Sequence, residues 1–261
     1  PGRRGAWANH GAFVRGLAAA ICLAGLAAAS AMVFGLAAQG AVAQEGRPTN
    51  DQLMGYFETV VFGNEVPGRE AKIIRKWASP IRYKFGGLTA VAERSRAAAR
   101  AHMASLTQFS NLAFEEIPAA EPGEQLVIWF TDTERMEADG LALAANPEDL
   151  VGTQGARCFF LSYYGADGVL VAARVVINAD HGQEVVEHCL LEEVTQTLGL
   201  PNDAPAIIPS IFNDTMQLDA LSFIDQVLVR MLYDPRLKPG TPRAEALKIA
   251  RAVLEELNPG G

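Results

Sequence analysis

A long uncharged segment near the start of the chain divides it into two unlike parts. Residues 16–38 contain no charged side chain, and the residues before them carry three arginines but no acid. An apolar segment of roughly 17 to 25 residues is long enough to cross a bilayer. A basic start, an apolar segment and the small residues Ala41-Val42-Ala43 are also the layout of a cleavable secretory signal. We therefore expect residues 1–43 to be a signal peptide or an uncleaved N-terminal membrane anchor.

Either form of this segment would export the rest of the chain. Arginines that flank an apolar segment stay on the cytoplasmic side of a membrane, so the residues that follow are translocated. We expect the protein to be periplasmic or otherwise extracytoplasmic. An uncleaved segment would hold it to the inner membrane through residues 16–38, and we expect no other contact with a membrane.

The exported part is acidic. It holds all 30 acidic residues of the chain and all but three of the 22 basic ones, so it is more negative than the whole chain, whose formal charge is -8. Nucleic-acid binding depends on concentrated Lys and Arg, and this balance therefore excludes nucleic acid as a partner. We expect the partner to be an envelope protein or peptide. Residues 44–261 are numerous enough to bury a hydrophobic core as one domain, with or without an N-terminal extension.

Two cysteines remain in the exported part, Cys158 and Cys189. In an oxidising compartment two cysteines form a disulfide more often than a metal site. A bridge between them would close a loop of roughly 30 residues, which the chain-entropy model equates with about 3 to 4 kcal/mol of stability. We therefore expect this disulfide.

The hydrophobic spacing predicts alternating helices and strands along the exported part. The predicted helices are 51–62, 69–77, 89–112, 183–198, 223–233, which Ser222 caps, and a last one from Pro242, capped by Thr241, to about Leu257. The predicted strands are 81–85, which alternates apolar and charged residues, 126–130, 158–164 and 169–178. A Gly165–Gly168 turn joins the last two strands as a hairpin. We divide this part into an N-terminal helical extension, a central domain and a C-terminal helix, at residues 44–78, 79–240 and 241–261.

The chemistry of the chain is concentrated on the predicted helix 183–198. Glu192 and Gln196 lie four residues apart and therefore share a helix face. Glu193 follows Glu192 directly and lies on the adjacent face of the helix. Gly199 permits a sharp turn that would return Asn202 and Asp203 toward that face. This spacing is typical of a metal site.

The same segment resembles the active-site pattern of metzincin metallopeptidases. That pattern is H-E-x-x-H-x-x-G-x-x-H-D, in which three histidines bind zinc and the glutamate is the general base. In this chain Glu193, Gly199 and Asp203 match the pattern unchanged. The three histidine positions carry Glu192, Gln196 and Asn202 instead.

Two further resemblances follow. Ser210-Ile211-Phe212-Asn213-Asp214 resembles the metzincin Met-turn, with Phe212 at the methionine position, and the helix after it resembles the one that closes that fold. The chain is also similar to an exported bacterial family known as domain of unknown function 2927, over about residues 51–240. The runs that carry this similarity are Phe62-Gly63-Asn64-Glu65, Trp77-Ala78-Ser79-Pro80-Ile81-Arg82, Cys189 with Glu192-Glu193 and Gln196, and Asp234-Pro235-Arg236-Leu237-Lys238-Pro239-Gly240.

Together the resemblances imply a fold more than an activity, because the family has no assigned function. They imply an α+β, zincin-like or metzincin-like fold: a mixed sheet with a long packing helix, an active-site-type helix and a C-terminal helix. Within it, Gly199, Asp203, Phe212 and Asn213 would support the site, with Phe212 as packing in its floor.

The residues at the site do not suit zinc. Catalytic zinc is usually held by two or three imidazoles, whereas Glu, Gln and Asn offer hard oxygen ligands that favour calcium or magnesium. We expect no cofactor; the alternative is a divalent metal, zinc or calcium, at Glu192, Gln196 and Asn202. His188 lies one turn before Glu192 and could join a different ligand set.

Three hypotheses remain open. The first, which we favour, is a non-catalytic binding or structural module of the envelope with a degenerate metallopeptidase site. The second is a metal-dependent peptidase or hydrolase that uses Glu193 as general base with nonstandard ligands such as Glu192, His188 and Asn202. The third is a purely structural, disulfide-linked domain whose partners bind elsewhere, for example at its N-terminal helices.

Overall fold

A five-stranded mixed β-sheet is the framework of the described structure. The computed structural model describes residues 47–63, 68, 70–88, 93–259 and 261. The strands are β1 Ile81–Gly87, β2 Phe114–Glu116, β3 Leu126–Thr131, β4 Cys158–Tyr164 and β5 Leu170–Asn178, in the spatial order β2-β1-β3-β5-β4. The first four strands in this order are parallel to their neighbours, and β4 is antiparallel to β5 at one edge.

Helices cover both faces of this sheet. In the described residues they are α1 Asn50–Phe62, α2 Glu93–Ser110, α3 Met136–Leu143, α4 Gln183–Gln196, α5 Phe223–Tyr233 and α6 Arg243–Leu257, with a 3-10 turn at Pro147–Leu150. α2 and α4 pack together on one face, and α3 contacts β5. The architecture confirms the predicted α+β class, with a long packing helix (α2), an active-site-type helix (α4) and a C-terminal helix (α6).

Strand alternation separates two hydrophobic clusters. Val175 and Ile177 of β5 belong to the main core, which includes the buried faces of α2 and α4. Val176 points to the other face, where it meets Phe159 and Leu161 of β4 in a smaller cluster beside α3. Because successive strand residues alternate between faces, β5 is buried on both sides and forms an interior strand.

The sequence located most elements to within a few residues. The hairpin between β4 and β5 is confirmed, with backbone bonds from Gly168 N to Gly165 O and from Gly165 N to Val169 O. Ser222 caps α5 as predicted, because its hydroxyl accepts from the backbone N–H of Asp225 at 3.2 Å. The last helix begins one residue later than predicted, with Pro242 as its N-cap.

The prediction of a helix at residues 69–77 is wrong. The described part of this segment is extended, and isolated bridges join Ile73 to Pro242 and Lys76 to Val169. Its backbone bonds go to distant segments, such as Ile74 N to Thr241 O and Lys76 N to Gly168 O. The apolar spacing suits a helix, but pairing with the hairpin and with the start of α6 supplies more backbone partners and decides the conformation.

Two elements had no clear sequence signal. β2 is three residues long and is held by parallel pairing with β1. α3 has one buried residue, Gly140, where an added Cβ would lie 3.1 Å from the ring of Phe159. Close approach of a glycine, rather than an amphipathic stripe, fixes this helix to the sheet.

The predicted signal peptide or anchor, residues 1–43, lies outside the described residues. Residues 46–261 cluster as one compact unit. α1 and α6 contribute to the same hydrophobic core as the sheet. Within the ranges described, helices are too short or too polar to cross a membrane.

A buried histidine joins α2 to α4. His102 of α2 lies 2.9 Å from the hydroxyl of Thr195 in α4, and that hydroxyl donates to Leu191 O at 2.7 Å. The Nε2 of His102 is therefore the donor in the pair. Burial is the main reason that the pKa of His102 is lowered to about 4.

We expect His102 to make the fold sensitive to acid. An unfolded histidine titrates near pH ~6.5, so between about pH 6.5 and 4 the unfolded chain binds a proton that the folded chain does not. Stability must therefore fall as the pH falls through this window. Denaturant unfolding at pH 7 and 4.5 should show a pH effect that is about 2 to 3 kcal/mol smaller in His102→Gln than in the wild type.

The matched control is His181→Gln, which changes a histidine outside this helix contact. It should keep the wild-type difference between the two pH values. An identical difference in all three proteins would contradict the assignment of the acid sensitivity to His102.

Candidate functional site

A cleft lies between the edge strand β4 and helix α4. The predicted disulfide is present between Cys158, at the start of β4, and Cys189 of α4, with their Cα atoms 5.9 Å apart. The cleft has a volume of about 890 Å³ and is lined along the whole of β4. On the α4 side the lining residues are His188, Glu192, Glu193 and Gln196.

The outer edge of β4 is open to this cleft. Asn178 N bonds Arg157 O, so the residues opposite β5 at 157, 159, 161 and 163 form the hydrogen-bonded pairs of the ladder. The N–H groups of Phe160 and Ser162 must then point away from β5. Within the described ranges neither N–H bonds another backbone segment, so β4 offers an unpaired strand edge.

The end of α4 is fixed by the extended segment that precedes β1. Trp77 Nε1 donates to Thr197 O at 2.9 Å, and the hydroxyl of Tyr233 donates to Leu198 O at 2.7 Å. Gly199 has φ +105°, and a Cβ there would lie 2.0 Å from Arg75 O. Only glycine fits this turn, as its supporting role in the sequence pattern implies.

Three carboxylates meet on the floor of the cleft. One oxygen each from Glu192, Asp203 and Asp214 lies within 4.8 Å of the others. The amide of Gln196 donates to Asp203 Oδ1 at 2.8 Å and thereby positions that carboxylate. Glu193 is buried beside them and lines the cleft. The turn after Gly199 thus brings Asp203 back to α4, as the spacing predicts.

Asn202 is not brought to this cluster. Its Nδ2 donates to Asp203 O at 2.7 Å, and its amide lies against Gly63 at the end of α1, where an added Cβ would be 2.6 Å from it. Asn202 does not belong to the lining of the cleft. Of the three residues at the histidine positions, the structure places Glu192 and Gln196 in the cleft.

His188 borders the carboxylates from one turn earlier in α4. Its Nε2 lies 3.5 Å from a carboxylate oxygen of Glu192, and its Nδ1 lies 3.2 Å from both Leu218 N and Leu218 O. The pKa of His188 is lowered, chiefly by burial and further by Arg157, while the contact with the Leu218 backbone opposes the shift. The neutral ring is therefore favoured, and Leu218 restrains its orientation.

The Met-turn-like segment lies beneath the cleft. Phe212 is fully buried, in agreement with its predicted packing role. Asn213 ties the loop together: its Nδ2 donates to Pro205 O at 2.8 Å, and its Oδ1 accepts from the Thr215 hydroxyl at 2.6 Å. Asp225 accepts from the Ser210 hydroxyl at 2.6 Å, and burial raises the pKa of this carboxyl. These bonds hold the loop in a conformation that places the Asp214 carboxylate close to those of Glu192 and Asp203.

The donor set fits a hard cation better than zinc. Glu192, Asp203 and Asp214 supply carboxylate oxygens, which calcium and magnesium prefer. The sulfur of Cys158 also lies near Glu192 and Glu193, but it is bonded to Cys189 and is not a thiolate. Among the described residues that line the cleft, His188 supplies the single imidazole. This set does not resemble the two or three imidazoles of catalytic zinc.

Sequence reasoning missed two residues that the cleft uses. Asp214 was visible only as part of the Met-turn resemblance, and the fold alone places it beside Glu192. Arg75 lines the other end of the cleft, but it falls in the segment wrongly predicted as a helix. Its place beside the turn at Gly199 comes from tertiary contacts that no local pattern contains.

The fold and the cleft define an α+β protein with a five-stranded mixed sheet, in which helix α4 lies across a cleft from the edge strand β4. More specifically, the chain belongs to the family described as "Protein of unknown function (DUF2927)", whose sequence profile matches residues 50–252. This confirms the resemblance seen in the sequence. A search of curated proteins finds no significant match.

Among solved structures, that of myroilysin is similar to this chain. The similarity has a TM-score of 0.29 at 12% sequence identity and covers 71% of this chain and 96% of the other. A likeness of this size supports no conclusion about chemistry, which must come from the side chains of the cleft.

We expect the fold to be independent of zinc. Because the carboxylate cluster lacks a set of imidazoles, the purified protein should contain no stoichiometric zinc, and EDTA should leave its melting temperature unchanged. Elemental analysis and thermal unfolding with and without EDTA measure both. One zinc ion per chain, with a lower melting temperature after its removal, would contradict this interpretation of the cleft.

Proposed function

We propose that the protein is an exported, non-catalytic module of the cell envelope that binds an extended basic peptide in the cleft between β4 and α4. The observation that carries this proposal is the unpaired edge of β4, which faces a floor of carboxylates on and beside α4. The peptide adds to the sheet as a sixth strand.

Strand addition suits the geometry of β4. An extended peptide can bond the outward N–H and C=O groups of an edge strand, and its alternate side chains then face one side. β4 has seven residues, a usual length for such pairing. The disulfide to α4 holds the strand in place, so little backbone ordering is required when the peptide binds.

The charge of the cleft favours a basic peptide. Among the described residues, six acidic ones line it, against the two arginines Arg75 and Arg157. Glu192, Asp203 and Asp214 are the closest group among them. Lysine or arginine side chains that point from the added strand toward α4 would meet this group and gain electrostatic complementarity.

The same residues argue against hydrolysis. Peptide hydrolysis by a zincin requires a metal-bound water at an open coordination position, which imidazole ligands maintain. Here Glu192, Gln196 and Asn202 take the histidine positions, and the ring of His188 is restrained by the Leu218 backbone. Glu193 is buried in the lining and remains the candidate base of the alternative, a metal-dependent hydrolase.

The disulfide supports export. Disulfides persist in the periplasm and other oxidising spaces and are rare in the cytosol. The Cys158–Cys189 bridge therefore agrees with the predicted export of residues 44–261 and with a partner in the envelope.

Fluorescence anisotropy with a labelled peptide, (Lys-Thr)4, tests the proposal. We expect the wild type to bind this peptide, and to bind (Glu-Thr)4 and a backbone N-methylated (Lys-Thr)4 at least tenfold more weakly. Ser162→Pro deletes one outward N–H, at a position where an edge strand tolerates proline. This variant should melt near the wild-type temperature and lose at least tenfold in affinity for (Lys-Thr)4 with an amidated C-terminus, a ligand without a carboxylate.

The result that would overturn the proposal is equal affinity for the basic, acidic and N-methylated peptides, or no binding of any. Casein degradation measured in parallel tests the hydrolase alternative. Cleavage that Glu193→Gln abolishes would replace the non-catalytic function with a catalytic one.

A further inference from the structure

Unsatisfied polar atoms cluster in the cleft. Three buried side-chain atoms of the described chain lack a hydrogen-bond partner: Arg75 Nε, Arg96 Nε and Ser162 Oγ. Two of these three residues, Arg75 and Ser162, line the cleft between β4 and α4. Buried polar atoms in folded proteins are nearly always bonded, so an unsatisfied pair in one cleft suggests a ligand that completes it.

Arg75 holds its charge without an acidic partner in the described residues. Its Cζ lies 3.8 Å from the centre of the Tyr164 ring, a cation–π contact that fixes the plane of the guanidinium. The nearest acid along the chain is Glu70, whose Oε1 already accepts from Gly68 N at 3.2 Å. A half-buried arginine that is stacked in this way can still donate hydrogen bonds from its guanidinium N–H groups to an anion.

The backbone presents Arg75 at a fixed place. The residues on either side are bonded to other segments: Ile74 O accepts from Gly240 N at 2.9 Å, and Lys76 O accepts from Leu170 N at 3.0 Å. The carbonyl of Arg75 itself lies over Gly199 at the end of α4. The position is therefore preorganised and costs little ordering when a ligand binds.

Ser162 lies on the same side of β4 as Tyr164. The two are separated by one residue, and alternate residues of a strand share a face. Since the guanidinium of Arg75 stacks on Tyr164, Arg75 and Ser162 both border the cleft near the C-terminal end of β4.

We propose that Arg75 and Ser162 form a carboxylate subsite at this end of the cleft. It receives a carboxylate of the bound peptide, supplied by its C-terminus or by an acidic side chain. This inference rests on the proposed function and defines its ligand more closely. The ligand places positive side chains over Glu192, Asp203 and Asp214 and a carboxylate at Arg75.

Three labelled peptides test the subsite: (Lys-Thr)4 as a free acid, the same peptide with an amidated C-terminus, and an amidated peptide with one added C-terminal Glu. A hydrogen-bonded charge pair is expected to raise affinity about tenfold or more. The free acid should therefore bind the wild type at least tenfold more tightly than the amide. If the Glu-bearing amide matches the free acid, a side chain supplies the carboxylate; if it matches the plain amide, the C-terminus does.

Arg75→Ala should remove the preference for the free acid over the plain amide. Arg75→Lys should retain part of the preference, since it keeps the charge without the fork. The matched control is Arg230→Ala, which deletes an arginine stacked on Phe109 outside the cleft and should keep the wild-type preference.

Peptide binding in which the wild type shows no preference for a carboxylate would overturn the subsite and leave the proposed function standing. A preference that survives in Arg75→Ala would also overturn it. If none of the peptides binds, both the subsite and the proposed function fail. Thermal melts of each variant verify that the fold is intact before the affinities are compared.

Discussion

The covalent bond between Cys158 and Cys189 is the constraint on which the cleft depends. It joins the edge strand β4 to helix α4, the two elements that face each other across the cleft. At the other end, the carbonyl of Arg75 rests on Gly199, and Trp77 and Tyr233 bond the last turns of α4. The start of β4 and the end of α4 are thus held in place, and among the described residues the outward N–H groups of Phe160 and Ser162 in β4 bond no other backbone segment.

This frame determines what the polar residues can do. A helix that holds Glu192 and Glu193, next to Asp203 from the turn, concentrates negative charge on the floor of the cleft. A concentrated anionic floor under an open strand edge favours recognition of a cationic extended chain. Arg75 adds a positive charge at one end of the cleft. The two ends therefore differ in charge, which favours one orientation of a bound peptide.

Local patterns in the sequence were sufficient for much of this structure. Alternation in β1, the Gly165–Gly168 turn and the cap at Ser222 are local signals, and each was predicted correctly. The conformation of residues 70–77 depends instead on bonds to Gly168, Gly240 and Thr241, which no local pattern contains. The site divides in the same way: Glu192 and Gln196 follow from helix spacing, whereas Asp214 and Arg75 reach the cleft through tertiary contacts.

The most direct measurement of the central claim is amide hydrogen exchange along β4, with and without (Lys-Thr)4. Strand addition predicts that the outward N–H groups of Phe160 and Ser162 exchange more slowly when the peptide is bound, because each gains a backbone acceptor. The N–H groups of β4 that already bond β5 should change little. Unaltered exchange at Phe160 and Ser162 in the presence of saturating peptide would contradict the claim that β4 is the binding edge.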